Sequence, residues 1–167
     1  MTIEKKFELL EVFRSQVQLI SEVPLMPEEV LAWRPFDGAW SVHEHIAHLF
    51  EAEIASFHRW RKAIAEPGGK VEDWNEEAWT RELNYHTIPL GTCIRVMTSL
   101  RELGFSELQS IIDRDWDAYW FLHSKQGKIS LEEWLIHYIE HMVTHRGYID
   151  RNLQLLKERS NLKSDEP

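Results

Sequence analysis

The sequence has one cysteine, few glycines and prolines, a deficit of basic residues and no long apolar run, and each shortage excludes something. Cys93 is the single cysteine among 167 residues, so no internal disulfide can form. No stretch approaches the ~18 consecutive apolar residues of a membrane-spanning helix. The opening MTIEKKFELLEVFR lacks the unbroken apolar segment of a signal peptide, so the cytoplasm is the expected location. Seven Gly and six Pro leave no room for a long low-complexity segment. Nineteen Lys and Arg against 28 Asp and Glu give a net charge of -9, without a concentrated basic stripe. Such a chain repels phosphate backbones and anionic lipid, which excludes nucleic acid and membrane surfaces as expected partners and favours a small-molecule substrate.

What is present reads as one ordered domain. An apolar fraction of 43% with 28% charged residues is ordinary for a globular protein, and a chain of this length buries roughly 70% of its unfolded surface. Residues 1–157 are expected to form one domain, followed by a polar tail over 158–167. Phe7, Leu10, Phe13, Val17 and Ile20 recur at three- and four-residue steps, predicting a helix over 4–21. Pro24, Pro27 and Pro35 mark 22–40 as a connector. Ser41 three residues before Glu44 is a capping box that opens a helix running to about 65, before Pro67-Gly68-Gly69. The aromatic and acidic stretch 70–88 predicts a long crossing connection with some helix. A third helix is expected from Pro89 to 115 or 119, with a bend at Gly104. SKQGK predicts a turn, and Ser130 with Glu133 repeats the capping box before a helix to about 157. With no alternating strand pattern, the expected fold is all-α, a four-helix bundle with long connections.

The nine histidines carry the chemical signal. His141 and His145 lie one turn apart, so both imidazoles can reach a common ion. His145 shares the apolar stripe of Leu135, Tyr138, Met142 and Ile149, where a buried imidazole needs a hydrogen bond or a metal to offset a desolvation cost of about 1–3 kcal/mol. HxxxH alone is only moderately specific, and a third ligand is required. WSVHEHIAHLFEAE offers His43, His45 and His48; periodicity slightly prefers His45, while Ala52 and Ala55 beside His48 would admit a close neighbour. The spacing leaves this choice open.

Trp40-Ser41 with the helix ending in AHLFEAE, and HMVTHRGYI a typical separation later, resemble the two signatures of the DinB-like superfamily of bundle metalloproteins. That superfamily includes thiol-dependent transferases and many members of unassigned activity. The resemblance spans nearly the whole chain and implies a four-helix bundle in which His48, His141 and His145 hold a metal. Ferritin-like di-metal bundles need Glu-x-x-His pairs, and no such pair occurs in the sequence.

Three neutral imidazoles suit one divalent transition metal, Zn2+ or Ni2+ in the first instance, and leave a position open for something exchangeable. The leading expectation is a transferase that activates a low-molecular-weight thiol for addition to an electrophilic small molecule. The alternatives are a metal-dependent hydrolase and a bundle that binds metal or a ligand without turnover. Glu44 and Glu51, each within a turn of His48, are candidates to orient a ligand or act as a base, though solvated surface glutamates are the simpler reading. Cys93 is expected as a buried small hydrophobe and His137 as a polar residue at the end of the core. Association with a partner or as a homodimer is left open.

Overall fold

A computed structural model describes residues 1–164, with the backbone alone for 162–164. Four long helices build the bundle: α1 (Ile3–Ser15), α3 (Val42–Ala65), α5 (Leu90–Gln109) and α6 (Leu131–Ser164). The short helices α2 (Glu28–Ala32) and α4 (Glu76–Glu82) lie in the connections. The main packing runs α1 to α5, α5 to α3, α3 to α6 and α6 back to α1. Two pairs of consecutive bundle helices, α1 with α3 and α5 with α6, therefore stand diagonally, which needs the long connections ahead of α3 and ahead of α6. No helix among the described residues is long and apolar enough to cross a membrane.

Local chemistry accounts for the helix starts. Ser41 caps α3: its hydroxyl accepts from the Glu44 amide while the Glu44 carboxylate accepts from the Ser41 amide, a complete capping box. Ser130 and Glu133 do the same ahead of α6. Asn75 caps α4 by accepting from the Ala78 amide.

Several boundaries differ from the sequence reading. The first helix is α-helical only to Ser15 and tightens into a 3-10 turn over Gln16–Ile20. The third ends at Gln109 instead of running to 115 or 119, and Gly104 lies inside it without interrupting it. The last continues to Ser164, past the expected end at 157, so most of the segment 158–167 is helical and 165–167 lie outside the described residues.

The connections also hold a small sheet that periodicity did not announce. Strand β1 (Gly69–Val71) pairs parallel with β2 (Trp120–His123), which pairs antiparallel with β3 (Gly127–Ser130). SKQGK is the hairpin turn, and Gly127 takes the positive φ of 78° that closes it. The sheet packs on α3 and, with the 70–75 loop, carries residues over one end of the bundle.

Two buried apolar clusters fill the bundle. One surrounds Phe13, Trp60, Phe105, Trp116, Phe121 and Trp134, and the other Ile20, Ile46, Leu49, Met97, Met142 and Ile149. Between them runs a buried ion pair, Arg101 to Glu53 at 2.8 Å, with Arg101 also donating to the Phe13 carbonyl at 2.7 Å. Burial pushes the Glu53 carboxyl up while Arg101 pulls it back. Cys93 is buried in the second cluster, and burial pushes its thiol up to about 11, so it behaves as the small hydrophobe expected of it.

Candidate metal centre

The histidine cluster forms where α3 faces α6. One ring nitrogen each from His48, His141 and His145 lies within 4.8 Å of the other two. His48 Nε2 and His141 Nε2 are 3.2 Å apart. Two nitrogens bound to one tetrahedral Zn2+ at ~2.0–2.1 Å sit about 3.3 Å from each other, so this pair already has the spacing of neighbouring ligands.

Electrostatics makes the same cluster receptive to a cation. Burial, reinforced by the charge that each neighbouring ring would carry, pushes His48, His141 and His145 down to about 3. All three are therefore neutral near pH 7, with lone pairs available. His48 Nδ1 is buried and has no hydrogen-bond partner. A neutral imidazole carries one N–H, and with Nδ1 facing no acceptor the ring has nothing to fix which nitrogen bears it. Bare imidazoles packed this way are poorly satisfied, and a shared cation removes the deficit.

The structure separates the roles of His45 and His48, which spacing had left open. His45 is buried, as its place on the apolar arc required, but it turns to His145: the two Nδ1 atoms are 3.1 Å apart. That contact occupies Nδ1 of His145 and leaves its Nε2 for the cluster. Burial pushes His45 down to about 4, and its own Nε2 has no partner. The signal that could have found this role was already present, since a histidine i−3 from His48 on a buried face must meet something polar across the helix interface.

Trp40 roofs the cluster, its ring 5.0 Å from His48, 5.6 Å from His45 and 6.2 Å from His145. Asn152, fully buried on α6, holds that roof by donating to the Trp40 carbonyl at 2.8 Å. The Trp40-Ser41 pair thus does two jobs, one covering the histidines and one capping the helix that carries His48.

The two glutamates singled out from spacing are placed elsewhere. Glu44 is buried in its capping box and bonded by Arg34. Glu51 accepts from the Tyr85 hydroxyl. Both carboxylates are bonded within the fold, Glu44 buried and Glu51 half-buried, so Glu44 is not the solvated surface group that spacing also allowed. His43 pairs with the Ile88 carbonyl and stacks on His86, away from the cluster.

A polar cleft of about 70 Å³ opens beside the cluster, with His48, His141 and His137 at one end and Arg59, Trp74 and His123 among its other walls. His137 is exposed and lies stacked between Trp134 and His141, with ring centroids at 5.3 and 6.0 Å. Tyr138 backs the cleft and is fixed by donating to the Ala52 carbonyl at 2.6 Å.

Known proteins fit this picture. The chain is 21% identical over 141 residues to YfiT of Bacillus subtilis, covering 80% of this chain and 79% of that protein. It is 25% identical over 112 residues to a protein of Oceanobacillus iheyensis, covering 67% of this chain and 64% of the relative, so the match leaves about a third of that protein aside. Both carry the name "Putative metal-dependent hydrolase". The solved structure of YfiT, described as a four-helix bundle of unusual topology, superposes with a TM-score of 0.85 at 21% identity, over 94% of this chain and 90% of that one. The model of the DinB superfamily matches residues 13–149, most of the sequence and all of the histidine cluster, and the chain belongs to that superfamily.

Proposed function

We propose that the chain is a metal-dependent hydrolase acting on a small molecule, with one divalent ion held by His48, His141 and His145. The observation that carries this reading is the cluster of three neutral imidazoles at the head of a polar cleft. The names of the relatives support the same reaction class. A donor set of three imidazoles without thiolate or carboxylate suits Zn2+ or Ni2+. Bound by three protein groups, such an ion keeps a position open and lowers the pKa of water to about 7.

The remaining work falls to the chain. Trp40 and the α3–α6 interface keep bulk water from the back of the cluster. His137, on the cleft wall beside His141, is placed to take the proton of an attacking water. Thiol transfer, the other use of an open three-histidine site, draws no support from the relatives' names.

The test is a panel of activated esters, amides and lactones followed by proton release at constant pH, with protein loaded with Zn2+ or with Ni2+. Metal-dependent turnover is expected, falling at least about a hundredfold in His141→Ala. Stoichiometric metal with no turnover across the panel, and acceleration of thiol addition in its place, would return the site to transferase chemistry.

His45 supplies a second expectation. Groups that hold a ligand imidazole in orientation are worth about 10- to 100-fold in metal affinity. His45→Leu should lower Zn2+ affinity by that factor and shift the visible spectrum of the Co2+ form, and His45→Asn should recover part of both. Unchanged affinity and spectrum in His45→Leu would mean that the contact to His145 orients nothing.

A further inference from the structure

The cleft that begins at the histidine cluster ends in nitrogen donors that the cluster does not use. Arg59 lies on α3 eleven residues, about three turns, after His48, and its guanidinium reaches the cluster's edge only through Trp134 and His137 stacked in between. Arg59 is 5% exposed, donates one N–H to the Glu72 carbonyl at 2.7 Å, and lies over the rings of Trp74 and Trp134 at 5.0 and 5.3 Å. Its nearest carboxylate oxygen, on Asp73, is 4.0 Å away, beyond hydrogen-bond reach, and the other oxygen of Asp73 is bonded by Lys125 at 2.5 Å.

Two further donors meet the same cleft. His123 is 4% exposed and accepts at Nδ1 from the Lys125 and Gln126 amides, which places its proton on Nε2. That Nε2 stands 3.8 Å from Asp73, again too far for a hydrogen bond. The Trp74 indole N–H is buried with no partner. Three residues that line one cleft thus carry a guanidinium, an imidazole N–H and an indole N–H, the first two standing 4.0 and 3.8 Å from Asp73 and the third without an acceptor.

We infer that this end of the cleft is a binding subsite for a carboxylate at the far end of a slender substrate. An ionised carboxylate is acceptor-only and matches a guanidinium fork with further N–H donors around it. A carboxamide offers one acceptor oxygen to three donors and no charge to the guanidinium. Asp73 and Glu76 on the same wall oppose any anion, and they oppose a phosphate dianion more than a singly charged carboxylate, with Arg59 as the one buried cation lining the cleft. The inference rests on the proposed hydrolase for what lies at the other end, but the subsite stands on its own geometry.

The experiment is fluorine NMR of 4,4,4-trifluorobutanoate with the full chain, both loaded with Zn2+ and after chelation. Saturable binding is expected in both forms, weakened at least about tenfold in Arg59→Gln and measurably in Trp74→Phe, which keeps an aromatic ring under Arg59 but removes the indole N–H with the rest of the bicycle. The corresponding amide should not compete. Binding that disappears on chelation puts the carboxylate on the metal and overturns the subsite while leaving the metal reading intact. Binding that persists in a chain unable to hold metal does the reverse. Unchanged affinity in Trp74→Phe, or equal binding of the amide, also overturns it, even if Arg59→Gln fails to fold.

Discussion

Replacing His141 with Ala is expected to strip the protein of its metal without unfolding it. Structural Zn2+ sites with four protein ligands are worth about 10–16 kcal/mol, so one ligand accounts for roughly 3 kcal/mol or more, over a hundredfold in affinity. Purified wild-type chain should carry one equivalent by elemental analysis and the variant less than about a tenth of that, a stoichiometric expression of this loss. Thermal unfolding gives an independent reading. At metal concentrations about a thousandfold above Kd, binding adds about 4 kcal/mol, or roughly 8–16 °C for a domain of this size. Metal should raise the midpoint of the wild type by that amount, and that of the variant, which at the same concentration stands only about tenfold above its weakened Kd, by no more than roughly 3–6 °C.

Without metal the two chains should differ little. His141 in the metal-free cluster meets other neutral imidazoles across contacts in which one nitrogen must find the other's proton, so its removal sacrifices no strong bond. A variant that keeps a full equivalent of metal would remove His141 from the ligand set. A variant that unfolds without metal would make the cluster a packing element.

The helix ends that depend on adjacent residues were legible in the sequence. Ser41 with Glu44 and Ser130 with Glu133 are local chemistry, and both boxes close as the spacing requires. The i, i+4 relation of His141 and His145 is equally local. What could not be read were contacts between distant segments. Strand β1 has three residues and finds its parallel partner β2 about fifty positions later, too short for alternation to be visible and too remote for a turn signal. The termination of α5 at Gln109 depends on the loop that Trp116 anchors by donating to the Ile111 carbonyl.

The site divides along the same line. Periodicity put His45 squarely on the apolar arc, and the structure buries it there. Hydropathy alone does not distinguish a ring that joins the cluster from one that bonds a member of it. The resemblance selected His48, and the interhelical register of α3 against α6 is what brings His48 to His141 and His45 to His145. The cleft donors were invisible because Arg59, Trp74 and His123 come from three elements.

Acid should unfold the metal-free chain well above the pH at which ordinary globular domains fail. Burial, with the neighbouring rings adding to it, holds His48, His141 and His145 at about 3, and burial, with Arg151 adding to it, holds His45 at about 4. In the unfolded chain each titrates near 6.5. Folded values below the unfolded ones mean that the unfolded chain binds the extra protons, so stability is complete above about 6.5 and drains away as pH falls toward 3.

At pH 4.5 a histidine displaced by this much forfeits about 3 kcal/mol, and the four together, whose mutual repulsion is shared and does not add ring by ring, forfeit several kcal/mol, a large share of the roughly 5–15 kcal/mol of a folded domain. Urea midpoints of the chelated wild type should therefore fall steeply between pH 6.5 and 4.5. Replacing His48 and His141 together by Leu removes two of the four groups and should roughly halve the slope. Saturating Zn2+ adds its binding energy to the folded form and should move the unfolding midpoint to lower pH. A midpoint that stays level from pH 6.5 to 4.5 in the chelated wild type, or an equal slope in the double variant, would mean that the cluster hydrates when metal-free and that its imidazoles titrate like free ones.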